Sequence, residues 1–181
     1  NDPDRCITYN GSVVVPMIRD KTGKDSIAEH RASIRRNGGF LAYTDSSWGP
    51  GIPHPMFGFS VYLFGGIVSF TAKQLKIVAA STCEAEYAAA AACCREITFI
   101  RNLCCDMGFM LRGAMILVVD NTAAIDVANN MGVTAKTKHF QTCVHYFRYE
   151  VQHGRIVAIH CLSKYQRADG FTNALDKTNH I

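Results

Sequence analysis

Apolar and polar positions along the chain predict a run of strands, followed by alternating helices and strands. Two apolar runs, 57–64 and 67–72, flank the dipeptide Gly65-Gly66. This dipeptide suits a two-residue hairpin turn because both glycines tolerate positive φ. A shorter apolar and aromatic run over 40–44 precedes them, and a polar stretch follows it. We therefore expect a meander of three strands.

The longest helix is predicted to begin at a capping box, Ser81-Thr82-Cys83-Glu84. In this motif the serine oxygen accepts a hydrogen bond from the backbone N–H of the glutamate, which reaches back to the helix start. An alanine-rich stretch over 88–92 follows, and Gly108 ends the helix near Met107. Small side chains would let this helix lie close against a sheet.

The second half of the chain predicts one fully buried strand and a series of alternating elements. Residues 115–119 are almost wholly apolar and rich in β-branched side chains, which is typical of a strand covered on both faces. The elements expected after it are a short helix over 121–130, a longer helix over 136–153, a strand over 155–161 and a closing helix over 166–175.

The segment before the meander is polar and interrupted. It is predicted to be a linker over 11–37, after a short strand over 6–9, and Gly38-Gly39 ends it. The first residues include no initiator Met and no signal segment, so we expect no secretion and interpret the chain as a piece of a longer one.

Composition limits the class of protein. The chain has 181 residues, 48% of them hydrophobic, which is enough for one sizeable core and too few for two ordinary domains. No run of about 18 apolar residues occurs, so a membrane span is not expected. A net charge of +4 suits a nucleic-acid partner, but it is also found in many proteins without one.

The eight cysteines include two adjacent pairs, Cys93-Cys94 and Cys104-Cys105, inside the predicted long helix. Neighbours on a helix point to different faces, and no two C-x-x-C spacings occur together. Neither a disulfide framework nor a structural zinc site is therefore indicated. The pattern favours a reduced, intracellular protein that uses cysteine as a small apolar residue.

Four acidic residues lie where successive elements begin or end. Asp45 and Asp120 follow predicted strands, whereas Glu86 and Asp169 lie near the starts of predicted helices. A single aspartate after a strand is usually a turn residue or a helix cap. Four acids at compatible ends can instead converge and hold two Mg²⁺ ions, one activating water and one stabilising the leaving 3′ oxygen of a phosphodiester.

The helix that begins at the capping box offers two glutamates for this site. Glu84 and Glu86 are two positions, or roughly 200°, apart on a helix, so they cannot both face it. Glu84 already has a role in the capping box. Glu86 shares the apolar stripe that should meet the sheet, with Ala89, Ala90, Cys93, Ile97 and Ile100. We therefore expect Glu86 to face the site.

Five short motifs resemble, in the same order, those of copia-type ribonuclease H domains. They cover about 39–175 and are Ala42 to Trp48, Ser81 to Tyr87, Val119 to Ile125, Thr137 to His139 and Arg167 to Thr172. One departure occurs near the end, where the family usually has Phe-Thr-Lys-Pro-Leu and this chain has Phe-Thr-Asn-Ala-Leu over 171–175. The missing lysine puts one backbone contact in doubt.

The resemblance implies an α/β, ribonuclease H-like fold with a five-stranded mixed sheet flanked by helices. It implies an endonuclease that hydrolyses the RNA strand of RNA–DNA hybrids during reverse transcription. The implied cofactor is two Mg²⁺ ions, for which Mn²⁺ can substitute, with no small-molecule cofactor. By its motifs, the family's acidic tetrad falls on the four positions reached above, namely Asp45, Glu86, Asp120 and Asp169.

The resemblance also divides the chain and suggests its surroundings. Residues 1–37 are similar to the end of a reverse transcriptase thumb or connection segment with its linker, 38–176 to the ribonuclease H domain, and 177–181 to a C-terminal tail. The expected partners are the hybrid and the adjacent reverse transcriptase domain of the same polyprotein, without a membrane. The expected location is cytoplasmic, within virus-like particles.

Several basic residues in the second half are candidates to face nucleic acid, although such a cluster is also common on a solvated surface. They are Lys136, Lys138, His139, Arg148 and Lys164. His139 and Cys143 share a predicted helix face, but two candidate ligands are too few for a metal site.

The roles of two further residues remain open. Many ribonucleases H have a mobile histidine shortly before the last catalytic aspartate, and His160 lies nine residues before Asp169. Its place in an apolar run argues for a strand rather than a mobile loop. Trp48, the only tryptophan, could stack on a sugar or cover the edge of the core.

Two other functions compete with the nuclease. A catalytically silent or domesticated domain would bind nucleic acid or protein without cutting, but a clustered negative site that repels phosphate does not help a binding module. An integrase or transposase would complete its acidic set with a glutamate on a later helix. Glu150 is the nearest candidate, in a helix otherwise lined with aromatic residues.

Overall fold

The computed structural model describes residues 18, 22–51, 54–129 and 145–172. In chain order, its helices and strands are α1 (Arg31–Arg36), β1 (Leu41–Ser47), β2 (Met56–Leu63), β3 (Gly66–Gln74), α2 (Thr82–Asp106), β4 (Met115–Val119), α3 (Thr122–Asn129), α4 (His145–Gln152) and β5 (Ile156–His160). Three short 3₁₀ turns, Ala28–His30, Ser163–Tyr165 and Asp169–Phe171, accompany them.

The strands form one five-stranded mixed sheet in the order β3-β2-β1-β4-β5. β1, β2 and β3 form the antiparallel meander, and β4 and β5 extend the sheet from β1 in parallel. All five residues of β4 are buried, as expected for a strand with neighbours on both sides. The predicted α/β fold class is confirmed.

Helix α2 covers one face of the sheet and begins where the capping box predicts. Ser81 Oγ accepts a hydrogen bond from the Glu84 backbone N–H at 3.2 Å. Ala85, Ala89 and Ala90 are fully buried in the main hydrophobic cluster. Their small side chains allow α2 to approach β1 closely, which brings the start of the helix to the end of that strand.

The other face of the sheet is covered by the segment that the sequence predicts to be a linker. Ile27 and Ile34 are almost completely buried against Ile116 and Val118 of β4. The Asp25 carboxylate anchors the segment by accepting from the Arg31 Nε at 2.7 Å. The linker prediction is wrong for 28–36, because two isoleucines in a polar segment are too few to mark an apolar helix face although each is buried.

The hairpin between β2 and β3 turns one residue earlier than predicted. Leu63 pairs with Gly66, so the two-residue loop is Phe64-Gly65, with φ of 53° and 86°. Positive φ is uncommon for phenylalanine. Tertiary contacts support it, since the Phe64 N–H donates to the Gly38 carbonyl and its ring lies 5.7 Å from that of Phe109.

Other boundaries differ modestly from the predictions. β1 continues through Asp45 to Ser47, so the aspartate lies inside the strand and pairs with Gly58 rather than following the strand. The described residues after β5 form two 3₁₀ turns instead of a helix from 166. The predicted strand over 6–9, residues 136–144 of the predicted longer helix and 173–175 of the closing helix lie outside the described residues.

The cysteines in the described part of the chain are all free thiols, as expected: Cys83, Cys93, Cys94, Cys104, Cys105 and Cys161. Burial raises the pKa of Cys161 to about 12, so this thiol stays protonated at neutral pH. Among the described helices, none has the length and apolar character needed to cross a membrane.

Candidate active site

Three carboxylates meet at one end of the sheet. Asp45, Glu86 and Asp120 each offer one oxygen, and these oxygens all lie within 4.8 Å of one another. They line an open cavity of about 450 Å³ whose wall also includes Asp169 and Ser163. The structure therefore brings together the four acids that the sequence singles out.

Strand register explains the meeting of two of these acids. Tyr43 of β1 pairs with Val118 of β4, and the two strands are parallel. Asp45 of β1 and Asp120, which directly follows β4, are each two positions beyond that pair, so they lie at the same level at this end of the sheet. Side chains two positions apart on a strand point to the same face of the sheet, so the Asp45 carboxylate lies on the same face as the Tyr43 side chain and the Asp120 carboxylate on the same face as Val118.

Asp169 reaches the cavity because Gly58 of β2 leaves room for the turn that carries it. A Cβ added at Gly58 would be 2.4 Å from the Phe171 Cβ, which is closer than side chains approach one another. Gly58 thus allows the 3₁₀ turn that carries Asp169 to lie directly against β2. The Thr172 hydroxyl at the end of this turn donates a hydrogen bond to Asp45 Oδ2.

Glu86 is the most buried of the four carboxylates. Its Oε1 accepts two hydrogen bonds from Ser46, one from the backbone N–H and one from Oγ, both at 2.9 Å. Its Oε2 is buried and has no hydrogen-bond partner among the described residues. An unsatisfied buried carboxylate oxygen is costly, and a cation bound between the acids would satisfy it.

The pKa values of these carboxyls reflect their burial and their closeness to one another. Burial, together with the charges of Asp45 and Asp120, raises the pKa of Glu86 to about 8. Burial raises the pKa of Asp45 to about 6, against the hydrogen bond from Thr172. Burial also raises the pKa of Asp120, against the hydrogen bond from Ser163. Raised pKa values in a cleft are typical of a functional site, and hard divalent cations bind such oxygens.

Glu84 is also buried, but it faces the helix start and not the cavity. Its Oε2 accepts from the Ala80 backbone N–H at 2.8 Å, one residue earlier than the standard capping box predicts. The choice between the two glutamates in the sequence therefore agrees with the structure, in which only Glu86 of the two lines the cavity.

Sequence reasoning missed the residues that support the acids. Ser46 holds Glu86, Ser163 Oγ donates to Asp120 Oδ2 at 3.2 Å, and Thr172 donates to Asp45. Gln166 is buried and joins two segments of the site. Ser46 and Thr172 lie within the motifs over 42–48 and 167–172, and Gln166 directly precedes the second. Their closeness in sequence to Asp45 and Asp169 is the signal that could have identified them.

The predicted nucleic-acid-facing residues have different outcomes. Lys136, Lys138 and His139 lie outside the described residues. Lys164 is exposed, with its Nζ 5.1 Å from the centre of the Tyr165 ring. The Arg148 side chain is buried and its Nε donates to the Val127 carbonyl at 3.1 Å, so a contact of this residue with nucleic acid stays a prediction that its burial does not favour. This arginine joins α4 to α3.

His160 and Trp48 both lie within the described part of the chain. His160 is the last residue of β5, pairs in register with Val119 and is half-buried. Its charge lowers the pKa of the neighbouring Asp120. Trp48 donates through Nε1 to the Ala79 carbonyl at 2.9 Å and packs against the main core, so it covers the core edge.

Glu150, the glutamate that an integrase would require, forms an ion pair with Arg155 away from the acidic cavity. It is 2% exposed and accepts two hydrogen bonds from Arg155, at 2.8 and 2.9 Å. It is not among the residues that line the acidic cavity. The structure gives no support to the integrase alternative.

The chain is similar in sequence to longer transposon proteins. It is 30% identical over 139 residues to the retrovirus-related Pol polyprotein from transposon RE1 of Arabidopsis thaliana, which is 76% of this chain and 10% of that protein. It is 29% identical over 119 residues to the corresponding polyprotein from transposon TNT 1-94 of Nicotiana tabacum, 64% of this chain and 9% of that protein. The chain thus spans about a tenth of these relatives. No protein-family model matches it.

Solved structures share the fold at low sequence identity. LC11-RNase H1, solved in complex with RNA/DNA hybrid, aligns with a TM-score of 0.55 and 14% identity, over 74% of this chain and 94% of that one. RNase H1 from Halobacterium salinarum NRC-1 aligns with a TM-score of 0.50 and 19% identity, over the same shares. The chain is therefore similar in sequence to a segment of retrovirus-related Pol polyproteins from transposons, and its fold is that of ribonucleases H.

Proposed function

We propose that this domain hydrolyses the RNA strand of RNA–DNA hybrids with the help of two divalent metal ions. The observation that carries the proposal is the buried, unpartnered Oε2 of Glu86 beside the carboxylates of Asp45 and Asp120. Three acids in such a small volume repel one another, and an ion between them removes this repulsion.

Asp45, Glu86 and Asp120 would hold one ion, and Asp169 on the cavity wall would complete the ligand set for a second. Magnesium or manganese, when bound, polarises the phosphodiester and lowers the pKa of a bound water. The chain's own contribution is orientation: Ser46 fixes one oxygen of Glu86, and Ser163 fixes one oxygen of Asp120.

His160 is proposed as an auxiliary group. His160 ends β5 next to Asp120, where its imidazole can take part in proton transfer near the leaving oxygen. Its position in a strand gives it less freedom than a loop residue would have. Any contribution is therefore expected to be secondary to that of the acids.

The proposed substrate, an RNA–DNA hybrid, is supported by a structural neighbour and by the chemistry of hybrid recognition. One solved neighbour was crystallised with RNA/DNA hybrid, and hybrid recognition through 2′-hydroxyls is what removal of template RNA requires. Lys164 beside Ser163, together with Lys136, Lys138 and His139, remains proposed to meet the backbone. The adjacent reverse transcriptase domain is the proposed partner, and virus-like particles the proposed location.

A silent binding module is the alternative, and one experiment separates it from the nuclease. Cleavage of a labelled RNA–DNA hybrid is measured in Mg²⁺, Mn²⁺ and EDTA, with RNA–RNA and DNA–DNA duplexes alongside. The native chain should cut only the RNA strand of the hybrid, and only with metal. Asp120→Asn should abolish cutting, whereas Asp126→Asn, at an exposed position on α3, should preserve it. Binding without any cutting in either metal would favour the silent module.

A further inference from the structure

Thr172 follows the 3₁₀ turn that carries Asp169 and contacts two of the four acidic residues. Its hydroxyl donates a hydrogen bond to Asp45 Oδ2 and also lies 3.1 Å from the carbonyl oxygen of Asp169. Its backbone N–H donates to the same carbonyl at 3.0 Å. One side chain therefore joins the Asp45 carboxylate, on β1, to the backbone of Asp169.

The Thr172 hydroxyl has a single hydrogen and two acceptors within reach, so the stronger acceptor receives it. An ionised carboxylate accepts a stronger hydrogen bond than a neutral carbonyl does. The Asp169 carbonyl keeps the Thr172 backbone N–H as a donor in either case. We therefore expect the hydroxyl to donate to Asp45 whenever that carboxyl is ionised.

This hydrogen bond fixes how the Asp45 carboxylate is turned. The last torsion of an aspartate side chain is otherwise broad and has no sharp rotamers. Holding Oδ2 therefore sets the direction of the other oxygen as well. Two serines, Ser46 and Ser163, each hold one oxygen of the other two acids in the cluster. Thr172 is the corresponding side chain for Asp45, and unlike the serines it also contacts the turn that carries the fourth acid.

Thr172 is itself held by the packing of this turn. The Phe171 ring stacks on that of Phe70, with centroids 5.9 Å apart and 16° between the ring planes. The Phe171 N–H donates to the Ala168 carbonyl at 2.9 Å, and Gly58 leaves room for the Phe171 Cβ. A donor orients a neighbouring ligand well only when its own position is fixed by its surroundings. The packed turn meets this condition.

We propose that Thr172 is a positioning residue for metal binding, whose hydroxyl sets the orientation of the Asp45 carboxylate and links it to the turn that carries Asp169. This inference rests on the proposed function, since it concerns the same cation site. The described residues that line the acidic cavity do not include Thr172, so it acts through Asp45 and not as a ligand. Residues that hold a ligand in place typically contribute about 10- to 100-fold to metal affinity.

Mn²⁺ binding in the absence of nucleic acid tests this role, with free Mn²⁺ measured by electron paramagnetic resonance. Thr172→Val removes the hydroxyl and keeps the branched shape, and it should weaken Mn²⁺ affinity by about 10-fold. Thr172→Ser keeps the hydroxyl and should bind Mn²⁺ nearly as tightly as the native chain. Thr71→Val, at a half-buried position on the edge strand β3, is the matched control and should keep the native affinity.

A second measurement separates positioning from stability. Cleavage of the hybrid by Thr172→Val should need about 10-fold more Mn²⁺ for half-maximal rate, with KM for the hybrid near the native value. Urea unfolding in EDTA gives the stability of each variant without metal. A purely structural role would lower the urea midpoint without changing the Mn²⁺ affinity of the folded protein. If Thr172→Val does not fold, Thr172→Ala takes its place.

The outcomes separate this inference from the proposed activity. Mn²⁺ binding that depends on the Thr172 hydroxyl, in a chain that cuts no hybrid, would support the positioning role and count against the nuclease. Equal Mn²⁺ affinities for the native chain and Thr172→Val would overturn the positioning role even if the hybrid is cut. An equal loss in Thr172→Ser would overturn it too, because the hydroxyl would then not be the group that acts. A native chain that binds no Mn²⁺ would overturn both proposals.

Discussion

Gln166 donates a hydrogen bond through Nε2 to the carbonyl oxygen of Thr44, at 2.8 Å. Its Oε1 accepts from the Ala168 N–H at 3.2 Å, and the side chain is 6% exposed. Thr44 directly precedes Asp45, and Ala168 directly precedes Asp169. A single buried amide therefore joins the two backbone segments that carry these carboxylates.

Gln166→Met, which keeps the length of the side chain but removes both hydrogen bonds, should reduce cleavage by about 10- to 100-fold. Its effect should appear in kcat and in the Mg²⁺ concentration needed for half-maximal rate, with KM for the hybrid nearly unchanged. Two backbone groups would lose their partners, so the free energy of unfolding should fall by about 1–3 kcal/mol. Steady-state kinetics over a Mg²⁺ series and urea unfolding measure these effects.

The control for this change is Gln152→Met, at an exposed position on α4. It should leave both the rate and the stability near native values. If Gln166→Met lost stability but kept its native rate and Mg²⁺ dependence, the side chain would be structural only.

The pKa of Glu86, about 8, predicts how stability depends on pH without metal. Between the unfolded pKa, near 4.3, and 8, the folded state binds more protons at this group than the unfolded state does. The free energy of unfolding should therefore decrease as pH rises through this window. Asp45, with a pKa of about 6, adds to the decrease in the lower part of it.

Urea unfolding in EDTA at pH 5, 6, 7 and 8 checks this prediction. Glu86→Gln should flatten the decrease, because the group that must ionise is gone. Addition of Mg²⁺ or Mn²⁺ should raise native stability most at pH 8, where the carboxylates are most ionised. A native stability that rises steadily from pH 5 to pH 8 in EDTA would contradict the raised pKa values.

Gly58→Ala should displace the turn that carries Asp169. The added Cβ would meet the Phe171 Cβ at 2.4 Å, so either β2 or the turn must move. We expect a loss of about 1–3 kcal/mol in the free energy of unfolding and a clear loss of cleavage. Gly66→Ala, also in the hairpin strands, meets nothing within 4 Å and should have little effect on either measurement.

Arg148→Gln should reduce stability but not hybrid affinity. The buried guanidinium donates to the Val127 carbonyl, and removal of a charged donor to a buried acceptor costs about 1.5–3 kcal/mol. Thermal unfolding should show this loss, whereas the salt dependence of hybrid binding should keep its native slope. A weaker salt dependence of hybrid binding in a fully folded variant would instead show that Arg148 contacts nucleic acid.

The local sequence pattern was sufficient to predict most helices and strands of this fold. The Ser81 cap, the alanine-rich helix and the buried run 115–119 are specified by neighbours in sequence, so their predictions agree with the structure. The acids at 45, 86 and 120 were identified because each lies near the end of such an element. The helix at 31–36 was missed because its burial comes from a distant strand.

The sequence by itself determined the order of elements and the identity of the candidate acids, because capping, hydrophobic period and turn chemistry act over a few residues. Only the tertiary structure decided which groups support those acids, that Arg148 is buried and that the hairpin turns at Phe64-Gly65. These features depend on strand register and on the packing of α2 across the sheet. Such contacts join residues far apart in the chain, and local pattern does not encode them.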